Sequence, residues 1–146
     1  MSVGRSLGIA LSWVPALLYT GAIWWLSSQT ELDFAMLERL PLQDKGMHLV
    51  EYAGLAITIA FAAYLSWPGR RLRPALAAVW ITIGLGLMDE LHQLFVPGRT
   101  GDVRDLAADG VGAVAGVTLY GLIRFAIRCF RLRPGASSSR VRGTRV

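Results

Sequence analysis

The chain has 146 residues, 53% of them hydrophobic and 17% charged, with a formal net charge of +5. A chain of this length fits one domain, and its apolar share is too high for an ordinary soluble fold of that size, which makes the lipid bilayer its natural solvent. All ten acids fall within 31–51 and 89–109, where they meet only the four bases Arg39, Lys45, Arg99 and Arg104, while eleven bases lie elsewhere; such a split matches the two faces of a membrane, and the basic net charge does not indicate a nucleic-acid partner.

Crossing about 30 Å of hydrocarbon takes roughly 20 mostly apolar residues. The chain supplies four such runs, near 7–28, 47–67, 72–95 and 105–130, and the expected fold is an all-α, four-helix integral membrane bundle over residues 1–133. The first run carries no charge, is longer than a secretory h-region and lacks a clear small-residue cleavage site, so it reads as a retained helix. Pro15 should kink it, because proline lacks the N–H that an uninterrupted helix uses. Trp13, Tyr19, Trp24 and Trp25 supply aromatic anchors, the last two near an interface. An amphipathic stretch at 32–40 is expected to lie on the membrane surface. Pro68-Gly69 ends the second run, Arg70, Arg71 and Arg73 form a turn, and Pro74 opens the third.

The third run ends near Phe95, after which Pro97-Gly98 reads as a type II turn, with Pro fixing φ at the first central position and Gly accepting positive φ at the second. Ala108, Gly112 and Gly116 recur at every fourth position of the last run, a spacing that lets helix backbones approach closely. Residues 134–146 are expected to be a disordered basic tail lying against anionic lipid. The single Cys129 excludes an internal disulfide.

Lys and Arg near span ends mark the cytoplasmic side. Arg5, the Arg70–Arg73 turn and the basic tail therefore belong inside, both termini are cytoplasmic, and the two acidic windows face out. Every polar group that intrudes into a span then enters from the outer side.

At about 100° per residue, Asp44, Lys45, His48, Glu51 and Tyr52 share a sector of roughly 120° on the second helix. Asp89 and Gln93 lie one turn apart on the third, flanked by Glu90 and His92, and Asp105 and Asp109 share a stripe with Gly112 and Gly116 on the fourth. An ionised group at mid-bilayer costs about 2.5–3.5 kcal/mol on insertion scales, so this many require pairing, protonation or water. A shared polar pocket open to the outside meets that need.

These residues resemble the VanZ-like family of small integral membrane proteins. The resemblance rests on Asp44-Lys45-x-x-His48-x-x-x-Tyr52, on Asp89-Glu90-x-His92-Gln93-x-Phe95-x-Pro97-Gly98-Arg99, and on Asp105-x-x-x-Asp109-x-x-Gly112-x-x-x-Gly116. It implies a multi-span cell-membrane protein, with one family branch linked to low-level resistance to the glycopeptide teicoplanin, and it implies no reaction. The matched positions Lys45, His48, Tyr52, Glu90, Gln93, Arg99, Asp105 and Asp109 become the preferred site residues. The family often carries Asn where this chain has Asp109.

Each position also has a plainer role. Asp102 and Asp105 fit an N-cap and its N3 partner at the start of the fourth helix, and Asp44 fits a cap on the second. Arg99 faces a helix N-terminus and suits either an anion or a pairing with Asp102 or Glu90. His48 and Glu51, with His92 and nearby carboxylates, are ligand types for a metal, but His-x-x-Glu spacing is common, and no metal and no cofactor is assigned from sequence. Gly112 and Gly116 read as packing residues. No nucleophile motif is present, leaving acid–base chemistry with His48 or Glu90 exchanging protons and Lys45 or Arg99 holding an anion. The reading is a plasma-membrane protein that binds or modifies a lipid-linked glycan or phospholipid headgroup through Lys45, His48, Glu51, Tyr52, Asp89, Glu90, His92, Gln93, Arg99, Asp105 and Asp109; the alternative is an intramembrane hydrolase or transferase.

Overall fold

A computed structural model describes residues 3–29 and 43–131, and both the 32–40 stretch and the 134–146 tail lie outside them. Five helices follow in order: α1 (Val3–Ser12), α2 (Val14–Ser27), α3 (Gln43–Ser66), α4 (Leu72–Gln93) and α5 (Val103–Arg131). They make four segments long and apolar enough to cross a membrane, Val3–Ser27, Lys45–Ser66, Leu72–Gln93 and Val103–Arg131, as the sequence leads one to expect. Helix is the form such segments take in lipid, where every backbone polar group needs a partner within its own segment.

The first span is broken where proline requires it. Trp13 stands between α1 and α2, its N–H turns back to the Ala10 carbonyl at 3.1 Å, and Pro15 takes one of the first positions of α2. There the missing N–H is one that a helix start leaves unused. At the other breaks the chain turns by matched chemistry. Gly98 has φ of 81° and the Arg99 N–H reaches the Val96 carbonyl at 3.1 Å, which is the expected type II turn. Trp67 to Arg70 repeats that turn with Pro68 and Gly69 at its centre, Gly69 having φ of 78°.

The bundle core is built mostly from small residues. Ala56, Ala60, Ala62, Ala63, Ala78 and Ala113 are fully buried, with Tyr52, Leu55 and Ile59 filling the space between them. Large apolar side chains such as Trp80, Phe95, Phe125 and Phe130 face outward. This inside-out distribution suits a lipid solvent, in which helices associate by close packing and not by hiding apolar surface from water. α3 and α5 pack closest. A Cβ added at Gly112 would collide with the Leu49 carbonyl, and one added at Gly116 with the Ala53 carbonyl, so both glycines set the approach of the two backbones.

The antiparallel helices sort polar groups by end. At one end Tyr64 donates to the Arg71 carbonyl at 3.0 Å, and the Arg124 guanidinium lies 4.3 Å from the centre of the Tyr64 ring and 5.7 Å from that of Tyr120. These cation–π contacts tie a basic end together. All seven acids among the described residues belong to the opposite half, on the first turns of α3, the last turns of α4 and the start of α5.

Candidate functional site at the acidic end of the bundle

The site begins as a ladder between α3 and α5. Side chains three or four residues apart share a helix face, so Lys45 and His48 on α3 meet Asp105 and Asp109 on α5 as successive rungs. Lys45 Nζ donates to Asp105 Oδ1 at 2.9 Å and lies 3.5 Å from Asp102 Oδ2. His48 Nδ1 stands 3.0 Å from Asp109 Oδ1. Deeper in the bundle the ladder continues as backbone contacts, Gly112 against Leu49 and Gly116 against Ala53. The same close approach that the glycines permit holds the charged rungs within hydrogen-bond reach.

α4 supplies the third wall. Glu90 Oε1 is 4.0 Å from His48 Nδ1, and Glu90 Oε2 accepts the Asp102 backbone N–H at 2.8 Å. Asp102 is the N-cap of α5: its Oδ1 accepts the Arg104 N–H at 2.8 Å. In a capping box the N3 side chain would take the N-cap N–H. Here Glu90 of the neighbouring helix takes it, and Asp105, the expected N3 partner, turns to Lys45 instead. Asp102 lies outside the spans, and the Arg104 N–H, with Lys45 second, holds its carboxyl below the ordinary Asp range.

Asp109 is 0% exposed, and the absence of a side chain at Gly86 makes room for it, since a Cβ there would come 2.7 Å from Asp109 Oδ2. The Tyr52 ring is buried beside it and stacks parallel to His48, with centroids 6.2 Å apart. Asp89, also buried, accepts from Gln93 Nε2 at 3.1 Å one turn away. Glu51 lies on α3 within electrostatic reach of Tyr19 and Tyr52. Lys45, His48, Tyr52, Glu90, Asp105 and Asp109 are therefore brought together, with Asp89 and Gln93 alongside.

His92 and Arg99 are placed apart from that group, against the end of α2. The His92 ring stacks on Trp24 at 5.4 Å, and its Nε2 is 3.0 Å from Ser28 Oγ. The Ser28 hydroxyl already donates to the Trp24 carbonyl, so its oxygen accepts from His92 Nε2–H. Arg99 sends Nε and Nη2 to the Gln29 carbonyl at 3.3 and 3.1 Å. Both side chains thus clasp the first span to the third and its following turn. Neither of the pairings considered from sequence for Arg99, with Asp102 or Glu90, is the one formed.

Three buried carboxylate oxygens in this half have no hydrogen-bond partner among the described residues: Asp89 Oδ1, Glu90 Oε1 and Asp109 Oδ2. The arrangement can exchange a proton through the His48 and Asp109 pair, present the Lys45 cation near the bundle end, and offer carboxylate oxygens to an electropositive group. Gly86 lines the site and Trp24, Ser28 and Gln29 hold His92 and Arg99 beside it, roles that sequence reading did not single out. Gly86 carries no signal of its own in an apolar helix, and the other three depend on how α2 docks.

Residues 6–124 match the model of the VanZ/LLP1 family. The chain belongs to the VanZ/LLP1 family. The match covers most of the chain, taking in the second and third spans whole and the first and fourth except at their ends near the termini, and it agrees with the resemblance carried by the three polar motifs. In this VanZ/LLP1 protein Lys45, His48, Glu90, Asp105 and Asp109 of those motifs are contacting rungs of α3, α4 and α5, while His92 and Arg99 turn to α2 and the residue after it. No curated protein and no solved structure matches the chain.

Proposed function

We propose that this VanZ/LLP1 protein resides in the plasma membrane and binds, or modifies, a polar component of the cell envelope at the extracytoplasmic end of its bundle. The component's class is an anionic or lipid-linked headgroup, such as a phospholipid or a lipid-linked glycan. One observation carries the reading: among the described residues three helices gather their buried carboxylates and His48 at one end, and that polar chain runs outward through Asp105 to the half-buried Lys45. Groups this costly in a bilayer are tolerated where water or a polar ligand reaches them. Arg99 and Arg104 add exposed cations at the same end, close to the N-terminus of α5, where backbone N–H groups favour anions. The basic opposite end is placed in the cytoplasm by the positive-inside rule.

The test is mass spectrometry of lipids that copurify with the protein in mild detergent. An enriched headgroup class that Lys45→Gln and Arg99→Gln release, with both variants folded, is the expected result. Copurified lipid that mirrors the bulk membrane in every variant would end the headgroup reading. The family's teicoplanin-linked branch extends the proposal to a resistance role, measured as raised teicoplanin tolerance in a susceptible host expressing the chain.

A second reading has its own support. His48 and Asp109, 3.0 Å apart with Glu90 4.0 Å away, form an acid–base group suited to hydrolysis or group transfer on the same headgroup. Headgroup turnover lost in a folded, lipid-binding His48→Gln variant would establish it.

A further inference from the structure

We propose that His48, Glu90 and Asp109 hold one divalent transition-metal ion, of the Zn²⁺ or Mn²⁺ class, between α3, α4 and α5. One ligand atom from each residue lies within 4.8 Å of the other two. His48 Nδ1 is 3.0 Å from Asp109 Oδ1 and 4.0 Å from Glu90 Oε1. Tetrahedral metal bonds of about 2.0–2.1 Å put neighbouring ligand atoms roughly 3.3 Å apart, between those two distances, so small side-chain rotations close the shell. An imidazole with two carboxylates is a donor set for Zn²⁺, Mn²⁺ or Fe²⁺.

The unpartnered oxygens point independently to a cation. Glu90 is 7% exposed, and the oxygen it directs toward His48 is the one without a hydrogen-bond partner. Asp109 also leaves an oxygen unmet, as does Asp89 one turn of α4 away from Gly86. A buried carboxylate group left without donors is costly, and among the described residues at this end of the bundle only Lys45 is a fixed cation turned toward these acids, already placed on Asp105 and Asp102. A divalent ion supplies the missing positive charge.

The ligands are also held from behind, as metal ligands usually are. Glu90 is oriented by the Asp102 N–H on its other oxygen, His48 by its stack on Tyr52, and Asp109 by its seat on Gly86. Three protein ligands leave a position free, and His48, with 13% of its side chain exposed, marks the side from which a water or a phosphate oxygen would enter. Only the identity of that fourth ligand rests on the headgroup reading. An ion bound at Nδ1 takes the place of the His48–Asp109 hydrogen bond, since that nitrogen must be free of a proton to ligate.

The test uses the full chain, purified in detergent with a tag that contains no histidine. Elemental analysis should give about one Zn or Mn per chain, removed by a chelator and restored by either ion, with a reversible rise in unfolding temperature on reloading. Glu90→Gln and His48→Gln, shown folded by circular dichroism and gel filtration, should bind about a hundredfold more weakly, whereas Cys129→Ser should bind as the parent does. A parent protein that takes up no ion and shows no thermal shift with Zn²⁺ or Mn²⁺ overturns the proposal without recourse to any variant. Equal binding by the parent and the two folded ligand variants overturns it as well. Lipid retention by Lys45→Gln and Arg99→Gln is read separately, so failure of the headgroup reading leaves a distinct mark.

Discussion

Asp109 accepts from His48 with one oxygen while the other rests against Gly86 without a donor, and its residue is fully buried. Replacing it separates two contributions. Asp109→Asn keeps an acceptor for His48 and removes the charge, so in chelator it should match or exceed the parent in thermal stability. Asp109→Ala leaves His48 without its partner and should cost about 1–3 kcal/mol. Thermal unfolding in detergent compares them, and an Asn variant as unstable as the Ala variant would show that the charge itself is needed for folding. Asp102 gives a prediction with a pH sign. Its carboxyl is held below the ordinary range when folded, so its contribution is complete above an unfolded pKa of about 3.9 and is lost as pH falls through the lower folded value. Asp102→Asn keeps the cap acceptor but lacks the charge, so it should unfold somewhat more easily than the parent at neutral pH, converge with it in acid, and so flatten this acid limb of the stability profile.

The glycines of α5 test whether the α3–α5 approach positions the polar rungs. Gly116→Ala drives a methyl into the Ala53 carbonyl and should cost about 1–3 kcal/mol, lowering metal or lipid binding at the His48 and Lys45 rungs about two to three turns away along α5. Gly121→Ala, where an added Cβ meets nothing within 4 Å, should leave both unchanged. Gly98→Ala should cost about 1–2 kcal/mol through its left-handed backbone alone. This dependence on spacing explains what could be read from sequence. Apolar run length gave the four spans, Pro-Gly pairs gave both turns, and the Pro15 break followed from a missing N–H. The fourfold spacing on α5 and the sector on α3 gave the faces that meet. The exchange of capping partners, with Glu90 standing in for Asp105, was not legible, because it depends on the depth at which α4 docks beside the start of α5. His92 and Arg99 show the same limit, since their spacing put them beside the polar group while docking of α2 turned them to Trp24, Ser28 and Gln29.

Sidedness decides what the polar end can meet, and the bundle makes it testable because the described acids gather at one end of antiparallel helices and most of the described arginines at the other. A site facing outward sees envelope lipids and extracellular ions, whereas one facing inward would see cytosolic metabolites through the same side chains. The Arg70, Arg71 and Arg73 turn and the arginines that end the fourth span are the topological signals, since arginine near a span end resists translocation while the acids opposite contribute little. Cysteines placed singly at Arg99 and at Arg70, both exposed, in a Cys129→Ser background report the orientation directly. In intact cells a membrane-impermeant maleimide should label the Arg99→Cys protein and spare the Arg70→Cys protein until the membrane is permeabilised. The reverse pattern would move the whole polar end to the cytosol, and with it the class of ligand that Lys45 and the His48, Glu90 and Asp109 cluster could receive.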